Sequence, residues 1–162
     1  FLATVDTDAV PEDIFLESIM MEFNKKQNKS IAGIVGKLLE SNSIYVVDRW
    51  RDIHMKQHWD KEVSKPPFLY GSTSVYRIEP LHKVGGFNDE YKTNYEDCDI
   101  SFKLKNKGYT ILYTPDARAR HLRKDTLKSV IDTYYNWVVA PYRKEFNNFK
   151  TLEQKAINAF NI

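Results

Sequence analysis

Apolar residues along this chain follow two spacings, which predict strands and helices in alternation. The opening run, residues 1–6, is apolar without a helical period, and we expect a buried strand that starts at the first position. A helix opened by Pro11, in its favoured first turn, should follow. Its core stripe has helical spacing and consists of Leu16, Ile19, Met20 and Phe23.

The middle of the chain contains short apolar segments bounded by turn-forming residues. Such segments predict strands, here at residues 31–38, 45–50 and 69–77. The stretch 51–67 has a weak pattern and predicts a long loop. A short helix at residues 80–84 should end at Gly85 and Gly86, which allow a tight turn or a close approach to the backbone.

The second half predicts a helix between Thr93 and Gly108. Thr93 and Glu96 have capping-box spacing, and glycine is the usual helix terminator. Further elements are expected as a strand at 109–115, a short edge strand at 117–122, a helix capped by Asp125 and broken by Pro141, and a last helix from about residue 151. Strands interleaved with helices indicate an α/β layer fold.

Composition narrows the classes of protein only a little. The 162 residues are 42% hydrophobic and 28% charged, which is ordinary for a globular domain with a real core, and a net charge of +2 gives no support for nucleic-acid binding. One cysteine, Cys98, excludes an internal disulfide and a multi-cysteine zinc site. No membrane helix or signal peptide is visible, so we expect a cytoplasmic protein. Because the chain opens on a strand without methionine, we expect a fragment.

One acidic stretch organises the chain. Glu96, Asp97 and Asp99 are three carboxylates within four positions at a predicted helix start. Acids there commonly satisfy the first-turn amides and the helix dipole. Their crowding also suggests that something positive binds nearby.

A second acidic pair follows the first predicted strand. Asp6 and Asp8 lie where the carboxyl end of a strand in an open α/β sheet commonly binds a ligand, and their oxygens suit a hard divalent cation. A calcium hand would use Asp6, Asp8 and Glu17 as its first, third and twelfth residues. Val10 and Pro11 stand where that loop needs a ligand and a glycine, so we reject it.

Other motifs are less specific. Gly33 and Gly36 lack the spacing and context of a dinucleotide-binding fingerprint, which we reject. His54 and His58 are half a metal site, but no glutamate completes a His-Glu-x-x-His motif, so solvated histidines are the simpler interpretation. The basic run 118–124 could attract phosphate, with a solvated edge as the default.

The order of these parts resembles a known family. Four segments carry the resemblance: residues 1–11 (FLATVDTDAVP), 84–91 (VGGFNDEY), 95–117 (YEDCDISFKLKNKGYTILYTPDA) and the Arg-His pair that ends at residue 121. The set is similar to the carboxyl-terminal half of a family-2 inverting glycosyltransferase with the GT-A fold. It covers residues 1–121 and fades in the last forty or so.

The resemblance implies roles for the acidic residues and one histidine. Asp6 and Asp8 would be the Asp-x-Asp pair that holds Mn²⁺ or Mg²⁺ against the diphosphate of a nucleotide-sugar. Asp97 would be the catalytic base, with Glu96 orienting it or the acceptor. His121 would supply a third metal contact.

The resemblance also implies partners. Gly85, Gly86 and Phe87 would lie near the donor and acceptor sugars. The expected donor is a UDP-sugar, and the acceptor is a saccharide or a lipid-linked molecule, with possible peripheral membrane contact through the aromatic, basic tail. The nucleotide-binding amino-terminal half of the GT-A domain would be missing from this chain.

These observations divide the chain into residues 1–122, the transferase part, and 123–162, a helical extension. The predicted fold is a partial GT-A mixed sheet flanked by helices. Two other functions stay open: a metal-dependent nucleotidyltransferase, and a catalytically inactive sugar- or partner-binding module.

Overall fold

The computed structural model describes residues 1–25, 30–41, 44–91 and 94–146, with side chains up to residue 137. In chain order the elements are β1 (Leu2–Val5), β2 (Ala9–Pro11), α1 (Phe15–Asn24), β3 (Ile31–Glu40), α2 (Val46–His54), β4 (Thr73–Tyr76), α3 (Ile78–Lys83), α4 (Glu96–Asn106), β5 (Thr110–His121) and α5 (Leu127–Phe146). The predicted α/β class is confirmed. The helix expected from about residue 151 lies outside the described residues.

The strands form one mixed sheet in the order β1-β4-β3-β5-β2. β3 runs parallel to β5 and antiparallel to β4, while β1 and β2 pair antiparallel with β4 and β5. The centre of β3 is buried because successive side chains point to opposite faces, and a helix covers each face. On one face Ile34 belongs to a cluster with Phe15 and Ile19 of α1. On the other, Val35 belongs to a cluster that includes Ile100 of α4.

β1 forms where predicted, but the expectation that it is buried is wrong. Phe1 is 53% exposed, and Leu2 and Val5 are also exposed. β1 is an edge strand of the described sheet and pairs only with β4, so its apolar side chains lack the second neighbour that buries those of β3.

The predicted start of the first helix is also wrong. Pro11 is the last residue of β2, opposite Ala119, and α1 begins four residues later at Phe15. Proline is tolerated there because an edge strand does not need every N–H for pairing. The buried face of α1 therefore differs from the predicted stripe. Phe15, which was not in that stripe, is 1% exposed, whereas Leu16, which was, is 57% exposed.

Residues 45–50 were expected to form a strand, and the structure shows the helix α2 instead. The β-branched and aromatic residues there favour strands only weakly, and tertiary contacts override that preference. Asp48 and Arg51, three positions apart, are both buried. Their helical spacing is compatible with ion pairing to the segment before α5, described below.

The two strands expected at 109–115 and 117–122 are one continuous strand, β5. β5 lies between β3 and β2, so the prediction of an edge strand is wrong. Pro115 is accommodated because the pairing with β3 shifts register between Val35 and Lys37, whose partners are Tyr113 and Arg118. Bulges of this kind are where an interior strand admits proline.

Two expectations about α5 are wrong as well. Thr126, not Asp125, caps it: the Thr126 and Ser129 side chains accept each other's backbone N–H at 3.1 and 2.8 Å. The helix continues through Pro141 to Phe146, since proline removes one backbone hydrogen bond of a twenty-residue helix. None of the described helices is both long and apolar enough to cross a membrane.

The remaining elements agree more closely with prediction. α3 occupies residues 78–83, and Gly85, Gly86 and Gly108 all have the positive φ angles expected of turns that end helices. Of the predicted strand at 69–77 only Thr73–Tyr76 pairs, and the loop expected at 51–67 begins only after α2. Thr93 lies outside the described residues, so its predicted capping role stays a prediction.

Candidate active site

Asp6 and Asp8 lie in the turn between β1 and β2. The N–H of Ala9 donates to the Asp6 carbonyl at 3.0 Å, which closes the turn. The N–H of Leu122 donates to the Asp8 carbonyl at 2.7 Å, which ties the turn to the end of β5. The local sequence thus folds against a distant strand, and this contact brings His121 to the acidic pair.

His121 is the last residue of β5 and lies between two carboxylates. Its Nε2 atom is 3.4 Å from Oδ2 of Asp8. Its Nδ1 atom is 2.9 Å from both carboxylate oxygens of Glu40, the last residue of β3. Asp8 and His121 were predicted as site residues from the sequence, whereas Glu40 was not, because no short motif marks it.

Asp6 is in an electrostatically crowded position. Burial raises the pKa of its carboxyl group, and the neighbouring Asp8 and Glu96 raise it further, while His121 and Arg123 act in the opposite direction. The charges of Asp8, His121 and Glu96 therefore all act on the Asp6 carboxyl group. Arg123 contributes positive charge there and was not singled out individually from the sequence.

The donor atoms suit a divalent cation in type. Two donors that each lie about 2.1 Å from one octahedral ion are roughly 3 Å apart, close to the separation between Asp8 and His121. Carboxylate oxygen suits both Mg²⁺ and Mn²⁺, and an imidazole nitrogen beside it shifts the preference toward Mn²⁺. Among the described residues, however, no group of three or more potential ligand side chains is spaced to hold a metal. The three-residue set of Asp6, Asp8 and His121 stays a prediction.

Asp97 lies in the first turn of α4 with both carboxylate oxygens engaged. Oδ2 accepts the N–H of Gly71 at 3.1 Å, and Oδ1 accepts the N–H of Cys98 at 2.7 Å. Burial raises the pKa of Asp97, and these hydrogen bonds partly oppose the rise. A carboxylate held rigidly, with its pKa moved toward neutrality, has the properties of a general base.

The residue before α4 adopts an unusual backbone conformation. Tyr95 has φ of 82°, the only positive value at a described residue other than glycine. Such conformations are costly and concentrate at functional sites. In the next residue, Glu96, the buried Oε2 atom has no hydrogen-bond partner among the described residues. A buried oxygen in this state is available to a ligand.

Two cavities meet at Asp97. One, of about 320 Å³, extends toward the loop before β4 and is lined by Gln57, Phe68, Tyr70, Ser72, Asn94, Tyr95, Cys98 and Trp137. The other, of about 430 Å³, extends along β1 and is lined by Ala3, Thr4, Val5 and Phe87. Both also include Asp6, Gly71, Glu96 and Asp97. The carboxylates of Asp6, Glu96 and Asp97 therefore lie between the two cavities.

The first cavity has an aromatic wall. Tyr70 stacks on Trp59 with ring centroids 5.2 Å apart, and Phe68 packs edge-on against both rings. The Tyr70 hydroxyl donates to the Lys56 carbonyl at 3.0 Å, which fixes the ring. Trp59 was predicted to lie in a loop and Tyr70 in a strand, and none of these three residues was assigned a role from the sequence.

The glycine pair is less central than expected. Of the segment 85–87, Phe87 lines the cavity along β1, where it packs against Tyr76. Gly85 and Gly86 form the turn after α3, and Gly85 lines a different groove. Their predicted contact with the donor stays a prediction.

Comparison with known proteins identifies the family of the chain. The sequence model of the family described as "Glycosyl transferase family group 2" matches residues 1–149. The chain therefore belongs to the family-2 glycosyltransferases, and its five-stranded mixed sheet is consistent with part of a GT-A domain.

Individual relatives are distant. The chain is 22% identical to a probable glucomannan 4-beta-mannosyltransferase 3 of Arabidopsis thaliana, over 99% of this chain and 30% of the relative. It is 28% identical to the pre-mycofactocin glycosyltransferase of Mycobacterium tuberculosis (strain CDC 1551 / Oshkosh), over 87% of this chain and 31% of that protein. The chain thus spans about a third of the length of these relatives.

Proposed function

We propose that this chain provides the catalytic base and the metal-binding side of an inverting glycosyltransferase. The enzyme would transfer a sugar from a nucleotide-diphosphate-sugar to an acceptor hydroxyl group, in polysaccharide or glycoconjugate synthesis. One observation carries the proposal: Asp97 is held by two backbone N–H groups at the junction of two cavities, and Asp6 lines both of them. A single displacement needs this arrangement, with donor and acceptor on either side of a base.

In the proposed reaction the acceptor enters the cavity with the aromatic wall. Aromatic faces combined with a few polar groups, here Gln57 and Ser72, are typical of sites for small organic ligands. Asp97 accepts the proton of the acceptor hydroxyl as its oxygen bonds to the anomeric carbon. The bond from that carbon to the diphosphate breaks on the opposite face, which inverts the anomeric configuration.

The donor diphosphate is proposed to lie at the Asp6 and Asp8 turn, with a UDP-sugar as the first donor to test. Asp6, Asp8 and His121 would hold Mn²⁺ or Mg²⁺, which when bound neutralises charge on the departing diphosphate. Arg123 supplies a further positive charge near Asp6. Its guanidinium group is held by Asp125 and Thr133 at 3.1 and 2.9 Å, and we propose that it also faces the phosphates.

The test measures nucleotide release by the intact enzyme of which this chain is the proposed part. The substrates are a panel of nucleotide-sugars with saccharide and lipid-linked acceptors, in the presence of Mn²⁺. Asp97→Asn should lower turnover by about 10²- to 10⁴-fold because the base is lost. Asp8→Asn should lower it and weaken the response to Mn²⁺.

Asp99→Asn is the matched control. Asp99 lies two positions further along α4, and its Oδ2 atom is 2.8 Å from Nζ of Lys103, outside both cavities. Turnover by Asp99→Asn should stay near that of the unmodified protein. Full activity of Asp97→Asn would refute the role of Asp97 as the base. No nucleotide release by the intact enzyme with any donor would contradict the proposed reaction and favour a sugar- or partner-binding module.

A further inference from the structure

Glu40 makes a contact with His121 that the proposed reaction does not use. The two residues are direct partners in the parallel pairing of β3 and β5. The side chain of Glu40 is 8% exposed and that of His121 is 4% exposed. Both carboxylate oxygens of Glu40 lie 2.9 Å from Nδ1 of His121. A buried carboxylate is costly unless it is paired, so His121 is the partner that stabilises Glu40 in this position.

The backbone around this pair restricts its movement. The N–H of Ser41 donates to the His121 carbonyl at 3.0 Å, on the β3 side. On the other side, His121 is opposite Ala9 of β2, the residue that follows Asp8. The imidazole ring is therefore fixed between the ends of two strands, with Glu40 on one ring nitrogen and Asp8 on the other.

The hydrogen-bond partner of one imidazole nitrogen determines what the other nitrogen can bind. In a neutral ring only one nitrogen carries hydrogen, and a carboxylate acceptor beside Nδ1 favours hydrogen at Nδ1. Nε2, which is 3.4 Å from Oδ2 of Asp8, is then the nitrogen whose lone pair can bind a cation. Asp8 is the more accessible of the two carboxylates, with 37% of its side chain exposed, so the lone pair and an open carboxylate lie side by side.

We propose that Glu40 is a positioning residue that orients His121 and fixes its tautomer, so that Nε2 and Asp8 together bind a divalent cation. The inference rests on the proposed function, because that function supplies the reason for a cation here. A carboxylate that accepts a hydrogen bond from the second ring nitrogen of a metal-binding histidine raises the basicity of that histidine. Its loss usually weakens metal affinity by about 10- to 100-fold.

The first experiment needs no metal. ¹⁵N NMR of the histidine side chains in the metal-free protein reports which ring nitrogen carries hydrogen, and His121→Asn assigns the signal. We expect hydrogen at Nδ1 of His121 in the unmodified protein and in Glu40→Gln, whose amide oxygen can still accept it. A neutral His121 with hydrogen at Nε2 in the unmodified protein would overturn the proposal.

The second experiment measures Mn²⁺ affinity by calorimetry or by electron paramagnetic resonance of free Mn²⁺. Glu40→Ala should weaken binding by about 10- to 100-fold, and Glu40→Gln by less. Glu22→Gln is the control: Glu22 is also buried and is paired with Lys25, on α1 away from the site. It should leave Mn²⁺ affinity unchanged.

The outcomes separate this inference from the proposed function. If Glu40→Ala binds Mn²⁺ as tightly as the unmodified protein, or if the unmodified protein binds none, the role of Glu40 is refuted even where sugar transfer is observed. If Mn²⁺ binding depends on Glu40 but no nucleotide-sugar is consumed, the proposed reaction fails and the cation site stands. Glu40→Gln, nearly identical in size, is the variant to use if Glu40→Ala does not fold.

Discussion

At the scale of single residues, Asp97 shows how opposing effects set the properties of one carboxyl group. Burial disfavours its charged form and raises its pKa, whereas the N–H groups of Gly71 and Cys98 stabilise that charged form. Burial is the larger effect, so the net shift is upward. Asp97 can then hold a proton more strongly than an ordinary aspartate, which is useful in a base.

The pH dependence of turnover should reflect this shift. The base must be deprotonated, so kcat/KM should fall as the pH is lowered through the raised pKa of Asp97, above the usual range near 4 for aspartate. The measurement is a pH profile with saturating Mn²⁺. Gly71→Ala keeps the N–H and adds a methyl group 3.9 Å from Oδ2 of Asp97, which buries that oxygen further, so its acid limb should not move to lower pH. An acid limb at the ordinary value would contradict the upward shift.

At the scale of elements, β3 depends on two glycines for different reasons. A Cβ on Gly36 would lie 2.5 Å from the Ala117 carbonyl oxygen of β5 and 2.6 Å from the Phe15 ring. A Cβ on Gly33 would lie 2.5 Å from a methyl group of Leu69. A backbone atom in a central strand pair cannot move aside, but the end of a leucine side chain can.

Gly36→Ala should therefore destabilise the protein more than Gly33→Ala. Overpacking a core usually costs about 1–3 kcal/mol, and we expect Gly36→Ala at or above the top of that range and Gly33→Ala near the bottom. Urea unfolding of both variants, followed by circular dichroism, gives the comparison. Equal losses would show that β5 can shift locally to admit the extra methyl group.

A buried ion pair joins α2 to the segment before α5. Arg51 of α2 donates to Asp125, and Asp48, also on α2, accepts the N–H of Asp125 at 3.1 Å. The Arg51 and Asp125 side chains are almost fully buried. Burial by itself raises the pKa of Asp125. Hydrogen bonds from Arg51 and Ser129, together with the positive charges of Arg51 and Arg123, outweigh it, and the net effect is a lowered pKa.

Arg51→Ala should cost up to about 3 kcal/mol of unfolding free energy, because buried Asp125 loses one of its two arginine partners and keeps Arg123. Lys128→Ala, which removes an exposed pair with Asp132 on α5, is the control and should leave the unfolding free energy nearly unchanged. Since the pKa of Asp125 is lowered, its contribution is present above the unfolded pKa near 4 and is lost as pH falls through the folded value. A loss in Arg51→Ala no larger than in the control would show that the pair contributes no net stability.

At the scale of the whole molecule, segments distant in sequence meet around Asp97. The cavity with the aromatic wall takes Asp6 from the turn after β1, Gln57 and Tyr70 from the loop before β4, and Trp137 from α5. The helix therefore contributes directly to the candidate site, although the sequence assigned it to an extension. Whether residues 123–162 form a separate domain stays a prediction.

Trp137 allows this contribution to be measured. Trp137→Ala should raise KM for the acceptor several-fold, because an apolar surface of the acceptor cavity is lost, and should leave the slow hydrolysis of the donor without acceptor unchanged. Ile131→Ala is the control on the same helix, since Ile131 is exposed and lines a separate apolar groove between α2 and α5. An equal rise in both variants would indicate a general loosening of α5.

The predictions that succeeded from sequence rest on local chemistry. The α/β class, β3, α3, α4 and the glycine turns follow from periodicity and helix-ending residues, which act over a few positions. The failures at residues 45–50, Pro11 and 117–122 share another cause. In each of them a contact with a distant strand or helix, or a position at a sheet edge, decided the conformation.

The sequence by itself determined the family and the residue types of the candidate site, because ordered motifs preserve both. It named Asp6, Asp8, Asp97 and His121. Only the tertiary structure brought Asp8 to His121, placed Glu40 behind the imidazole and opened two cavities beside Asp97. Strand register decides these neighbours, and register is set by the packing of whole strands and helices, which no short stretch of sequence specifies.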